Sequence, residues 1–171
     1  MKKLVSILLA AVLCLTAAAS VAEGIKMGHV LAAAHGAQCF AEVTVAMDGD
    51  KIVGVYIDEY QYMDPTQEGV VPVPNSEGMA NNVKEGVVLA SKKESNSYYS
   101  GLMAKVAGST TEIAANYAAI EAFCTGKTVS ELKAEMEGKD AAAAVDAVSG
   151  ATLADTANYI AAVIAAAESV Q

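Results

Sequence analysis

The sequence holds no arginine and no tryptophan, and it is sparing with phenylalanine (two), histidine (two), proline (three) and cysteine (three). Eleven lysines stand against twenty acidic residues, for a formal net charge of −9. Nucleic-acid binding needs clustered Lys and Arg to displace counterions from phosphates, so that class of partner is excluded. The acidity also resists close approach to an anionic membrane surface. The only imidazoles, His29 and His35, would share a face of one strand but stand too far apart along it to chelate one ion. Neither has a cysteine or carboxylate at ligand spacing, and no metal site is expected.

Long apolar runs are scarce too. The run from Leu4 to Ala19 follows Lys2 and Lys3 and precedes Ser20-Val21-Ala22. It falls short of the roughly 20 residues that span a bilayer, and its charged, apolar and small-residue regions follow the order of a secretory signal peptide cleaved before Glu23. Cys14 leaves with it, and the preceding Leu13 is bulkier than the residue a lipid-anchor signal carries there. Residues 23–171 then form one domain, long enough to bury a core and exported to the periplasm or cell surface. Losing two lysines takes the charge from −9 to −11. Cys39 and Cys124 remain. Export permits them to pair, and their apolar surroundings equally suit two buried free thiols.

What is present is a change of period along the chain. Lys26 to about Ala34 reads as a strand ending at a His35-Gly36 turn. Val43, Val45 and Met47 alternate with polar or small residues, Asp48-Gly49-Asp50 turns the chain, and Val53, Val55 and Ile57 resume the alternation, which is a hairpin with one buried face. Asp64 to Gly78 carries Pro65, Pro72 and Pro74 and reads as a long surface loop. Val87 to Ala90 is a short strand. Helices follow: one from Tyr98 to about Ala107, and one to Phe123 opened by the capping-box spacing of Ser109 and Glu112. A shorter one opens at Thr128 and Glu131 and ends at Gly138. Strands first and helices later imply an α+β fold, an antiparallel sheet with an early hairpin packed against several C-terminal helices.

The stretch Asp146-Ala147-Val148-Ser149-Gly150-Ala151-Thr152 precedes an alanine-rich run from Leu153 to Ala167 with helical propensity and no repeat period. Leu153, Tyr159, Ile160, Val163 and Ile164 give that run an apolar stripe. A helix beginning there would hold the Thr152 hydroxyl at its positive end, where unpaired N–H groups favour a phosphate.

The stretch resembles the attachment motif of the FMN-binding domain family, Asp-x-x-Ser/Thr-Gly-Ala-Ser/Thr, and every fixed position is filled. That family comprises extracytoplasmic flavoproteins and subunits of membrane redox pumps. The hairpin, with its Asp-Gly turn before Lys51-Ile52-Val53, is similar to the family's early sheet, whereas Asp64-Pro65-Thr66 stands where many members carry a Glu-Thr-Pro-Gly-like element. The resemblance implies FMN joined through its phosphate to Thr152 by a flavin transferase, with Ser149, Gly150 and Ala151 in the attachment loop and Asp146 read mainly by the transferase. It implies electron transfer outside the cytoplasm, by a carrier more than by a stand-alone enzyme. Its partners would be redox proteins or a membrane quinone oxidoreductase, which would make it membrane-associated.

Tyr60, Tyr62, Met63, Tyr98 and Tyr99 could line a slot for the flavin ring, or simply pack the core. Lys92 and Lys93 could offset the charge of reduced flavin, or form a solvated turn. Gly126-Lys127-Thr128 imitates the end of a P-loop, but Glu121 occupies the required glycine position and a helix precedes it, which excludes nucleotide hydrolysis. Asp146, Ser149 and a histidine make a hydrolase triad on paper, without the Gly-x-Ser-x-Gly elbow. The competing class is a non-redox ligand- or partner-binding module of the same fold, using a pocket behind Pro65 to Pro74.

Overall fold

Side-chain alternation builds the sheet. In the computed structural model, which describes residues 24–73 and 85–170, four strands lie in chain order in one antiparallel sheet: β1 (Lys26–Ala32), β2 (Cys39–Asp48), β3 (Lys51–Met63) and β4 (Val88–Ser91). The expected leader, and Pro74 with the rest of its loop, lie outside the described residues. Ala41, Val43 and Val45 stand opposite Glu59, Ile57 and Val55 on the face that the helices cover. Phe40, Glu42 and Thr44, opposite Tyr60, Asp58 and Tyr56, line the other face. At the hairpin end the register shifts between Ala46 and Met47, so Val53, which the alternation placed on the buried face, is the extra residue of a bulge and is exposed, while Ile52 takes the core position opposite Met47. The first part of the proline-bearing loop runs along the free edge of β4, where Pro72 bridges to Ala90 and Val73 donates its N–H to Leu89.

Five helices follow: α1 (Asn96–Ala107), α2 (Ile113–Cys124), α3 (Val129–Met136), α4 (Ala141–Ala147) and α5 (Thr156–Glu168). The α+β expectation therefore holds. Among the described residues no helix is long and apolar enough to cross a membrane. Helix α5 lies across β1, β2 and β3, α2 packs on β3, and α3 and α4 pack on α5. Its buried positions, Tyr159, Ile160, Val163, Ala166 and Ala167, recur at helical spacing and meet the apolar sheet face. Contact is closest at Gly28, where a Cβ would lie 1.9 Å from the Ala166 carbonyl oxygen. One residue on, Ser169 Oγ accepts the otherwise unpaired N–H of His29 at 3.1 Å, covering part of the sheet edge.

Two local expectations are corrected. The capping box at Thr128 and Glu131 forms, with bonds of 3.2 and 2.8 Å, but the one expected at Ser109 and Glu112 does not. Glu112 is itself the N-cap residue of α2 and makes no side-chain cap bond. Instead Ser100 Oγ and Asn96 Oδ1, both on the neighbouring α1, accept the N–H groups of Ile113 and Ala114 at 2.9 and 3.0 Å. Residues 141–147, for which the sequence suggested no helix, form α4, capped by Asp140 accepting from Ala143 N–H at 2.9 Å. Cys39 and Cys124 are both free. Burial pushes the Cys124 thiol up to about 12, so it stays neutral and inert.

Gly28→Ala forces α5 and β1 apart. It is expected to cost about 1–3 kcal/mol, read as a lowered urea midpoint.

Candidate functional site

The motif divides by burial. Val148 and Ala151 are 2% and 7% exposed and anchor the loop in the core, while Ser149, Gly150 and Thr152 face solvent. Ala151 N–H closes a turn on the Val148 carbonyl at 3.0 Å, and Gly150 occupies it with φ +91°. That left-handed backbone explains the glycine, and the buried site explains the small alanine. Asp146 is exposed on α4 and makes no hydrogen bond or ion pair with the described residues.

The helix start is three residues later than the alanine run suggested. Helix α5 begins at Thr156 with Asp155 as N-cap, because Thr156 N–H and Oγ1 fold back onto the Leu153 carbonyl at 3.1 and 2.6 Å. Thr152 therefore sits on the preceding loop and not at the mouth of α5. Nor does the Asp155 carboxylate cap the helix; it pairs with His35 Nδ1 at 2.6 Å. The other histidine, His29, pairs with Glu42 at 3.5 Å. No metal-ligand cluster exists among the described residues.

Thr152 is held by the first turn of α2 instead. Asn116 Oδ1 accepts the Thr152 N–H at 2.6 Å and its hydroxyl at 3.2 Å. Asn116 is fully buried, and its Nδ2 donates to the carbonyls of Thr111 and Glu112 at 3.2 and 3.1 Å. Those two carbonyls orient the amide, since only the NH₂ end can face them. Sequence reasoning passed over Asn116. The signal was a polar residue among the inward positions Ile113, Tyr117 and Ile120 of α2, and a buried amide must find partners.

A groove opens beside this anchor. Its volume is about 370 Å³, and its walls include Ser97, Ser100, Gly101, Ala104, Thr110 and Glu112. Ser100, Ser109 and Thr111 also wall a narrow extension of about 20 Å³ that reaches Asn116 and Leu153. Across α1 lies a second groove of about 320 Å³, between Gln67-Glu68 and Tyr98, Leu102 and Lys105.

The aromatic and lysine candidates do not form one slot. Tyr60 lies on the sheet face away from the helices, stacked on Phe40 with centroids 5.4 Å apart and donating to Glu42 at 3.0 Å. Tyr62 shares that face by alternation, opposite Leu89. Met63 and Tyr99 are core residues, and Tyr98 is partly buried against the core. Lys92 is 1% exposed, ion-paired with fully buried Glu59, with its ammonium 4.6 Å from the Tyr99 ring centre. Burial lowers the Lys92 pKa, but the Glu59 carboxylate outweighs it and holds the ammonium above its ordinary value. Glu59 Oε1 has no hydrogen-bond partner among the described residues. Lys93 is likewise engaged, by Glu121 at 2.8 Å and the Ile57 carbonyl at 3.2 Å. Both cations thus neutralise carboxylates of the fold.

Comparison with models of protein families, with characterised proteins and with solved structures finds no match for this chain.

Lys92→Met leaves Glu59 buried without its counter-charge and is expected to cost about 3–5 kcal/mol, with Glu59→Leu/Lys92→Met recovering most of it. Because the Lys92 pKa is raised, the pair's contribution is full below the ordinary lysine range and is lost only as pH climbs through the higher folded value. Urea titrations at several pH values measure both effects. Asn116→Ala is expected to cost about 1–3 kcal/mol and to speed amide exchange at Thr152 more than at Tyr159.

Proposed function

We propose that this chain is an exported carrier of covalent FMN, attached through its phosphate to Thr152, that works in extracytoplasmic electron transfer. One observation carries the reading. Within an Asp-x-x-Ser-Gly-Ala-Thr stretch, the Thr152 side chain is exposed on a loop pinned by buried Asn116. An attachment point needs that combination, since a transferase must reach the hydroxyl and the finished tether must not drift.

The division of labour within the motif supports the same reading. Val148 and Ala151 bury the loop, Gly150 supplies the turn, and Ser149 and Thr152 stay accessible. Asp146, exposed and unengaged by the described residues, is available to a flavin transferase. Bound FMN would supply the one- and two-electron chemistry, and the protein would tether it, orient it and set its potential. Outside the cytoplasm a phosphoester prevents loss of the cofactor by dilution. A redox partner protein or a membrane quinone oxidoreductase would exchange electrons with it.

The second reading is a ligand-binding module without redox work. It has the groove of about 320 Å³ behind Gln67-Glu68 in its favour, within the roughly 300–1,000 Å³ of ligand pockets.

Intact mass separates the two. Protein made in a host with a flavin transferase should exceed the cleaved polypeptide by FMN less one water, and Thr152→Ala and Asp146→Ala should fold yet remain colourless. An unmodified wild-type mass would favour the binding module, and a flavinylated Thr152→Ala protein would overturn the assignment of the attachment point.

A further inference from the structure

Thr152 faces solvent on the motif loop, while Val148 and Ala151 on the same loop are packed into the core. Asn116, which accepts the Thr152 N–H and hydroxyl, also lines the small cavity of about 20 Å³ that shares Ser100, Ser109 and Thr111 with the open groove of about 370 Å³ between α1 and residues 109–112, and a tether from Thr152 would reach that groove over the surface. That volume lies within the roughly 300–1,000 Å³ of small-molecule sites. We propose that this groove seats the ribityl chain and isoalloxazine ring of the flavin, a placement that rests on the attachment reading above for its tether.

The lining suits a polyol joined to a flat heterocycle. Ser97, Thr110 and Thr111 offer side-chain hydroxyls with no partner among the described residues, and they can exchange hydrogen bonds with the ribityl hydroxyls and the polar ring edge. Gly101 and Ala104, exposed on one face of α1, keep the groove open without a bulky side chain. Ser100 is the fixed point of the wall: its Oγ donates to Asn96 Oδ1 at 3.1 Å and accepts from Ile113 N–H at 2.9 Å.

The groove's electrostatics give the placement a consequence of its own. Among the described residues the only charged side chain on its walls is Glu112, whose carboxylate accepts from Asn96 Nδ2 at 2.8 Å. Lys92 and Lys93 are committed to Glu59 and Glu121. A ring seated here gains negative charge on reduction beside a carboxylate and without a facing cation, which lowers its midpoint potential.

The experiment uses the flavinylated full chain with two groove-blocking variants, Gly101→Trp and Ala104→Trp, and the charge variant Glu112→Gln. In the wild-type protein iodide should quench flavin fluorescence severalfold less than it quenches free FMN. Either tryptophan should raise quenching towards the free value while the intact mass still includes FMN, and Glu112→Gln should raise the midpoint potential. Thr152→Ala protein titrated with riboflavin, which has no phosphate to attach, should bind it saturably, and adding Ala104→Trp, which lines this groove and not the second one, should abolish that binding. Full FMN mass with equal iodide access in wild type and both blocked variants would overturn the groove and leave the attachment standing. An unmodified mass with saturable, Trp-sensitive riboflavin binding would overturn the attachment and leave the groove.

Discussion

The fold depends on the last helix lying flat against the first strands. Gly28 has no side chain because the Ala166 carbonyl occupies that space, and Ser169 reaches the N–H of His29. Segments about 140 residues apart are thereby brought together, with Val43, Val45 and Ile57 from the sheet and Tyr159, Ile160 and Val163 from α5 in one core. Burial of that apolar area is the main favourable term. The segments between inherit their positions from this closure, and the motif loop is one of them, stretched between α4 and the start of α5.

The neighbourhood of Thr152 is a chain of polar substitutions for backbone partners. Side chains of α1 take the free N–H groups that open α2, Asn116 in the first turn of α2 takes the N–H of Thr152, and Thr156 turns back on Leu153. Each satisfies a group that would otherwise be costly to desolvate. The result is a loop pinned by hydrogen bonds at exposed Thr152, near a hydroxyl-walled groove whose one charged side chain among the described residues is Glu112. The positive helix end invoked from sequence is not the device that holds the motif. Hydrogen bonding by a neutral amide takes its place.

Much of the fold was legible because period and punctuation agree. The hairpin showed alternation on both sides of an Asp-Gly turn, and the box at Thr128 and Glu131 formed because its partners are four residues of one chain segment with nothing competing. The box at Ser109 and Glu112 has the same spacing and failed because α1 supplied better-placed acceptors, which no local window can reveal. For the candidate site, the motif residues could be named in advance, but Asn116 could only have been suspected as a polar residue on an apolar helix face. Tyr60, Tyr62 and Met63 could be listed as neighbours in sequence, but the pleat sends Tyr60 and Tyr62 to one face of the sheet and Met63 into the core, and Lys92 is buried on Glu59.

By itself the sequence determined the period of most elements, the α+β order, the lack of basic clusters, and the motif from Asp146 to Thr152 ahead of a last helix. These follow from local geometry and composition, which a chain carries wherever it goes. Only the tertiary structure decided which face each strand buries, that Lys92 is spent on Glu59, that α5 starts at Thr156, and that Asn116 and the groove beside α1 stand next to Thr152. Those outcomes turn on which distant groups compete for the same donor or the same space, and that competition exists only once the chain is folded.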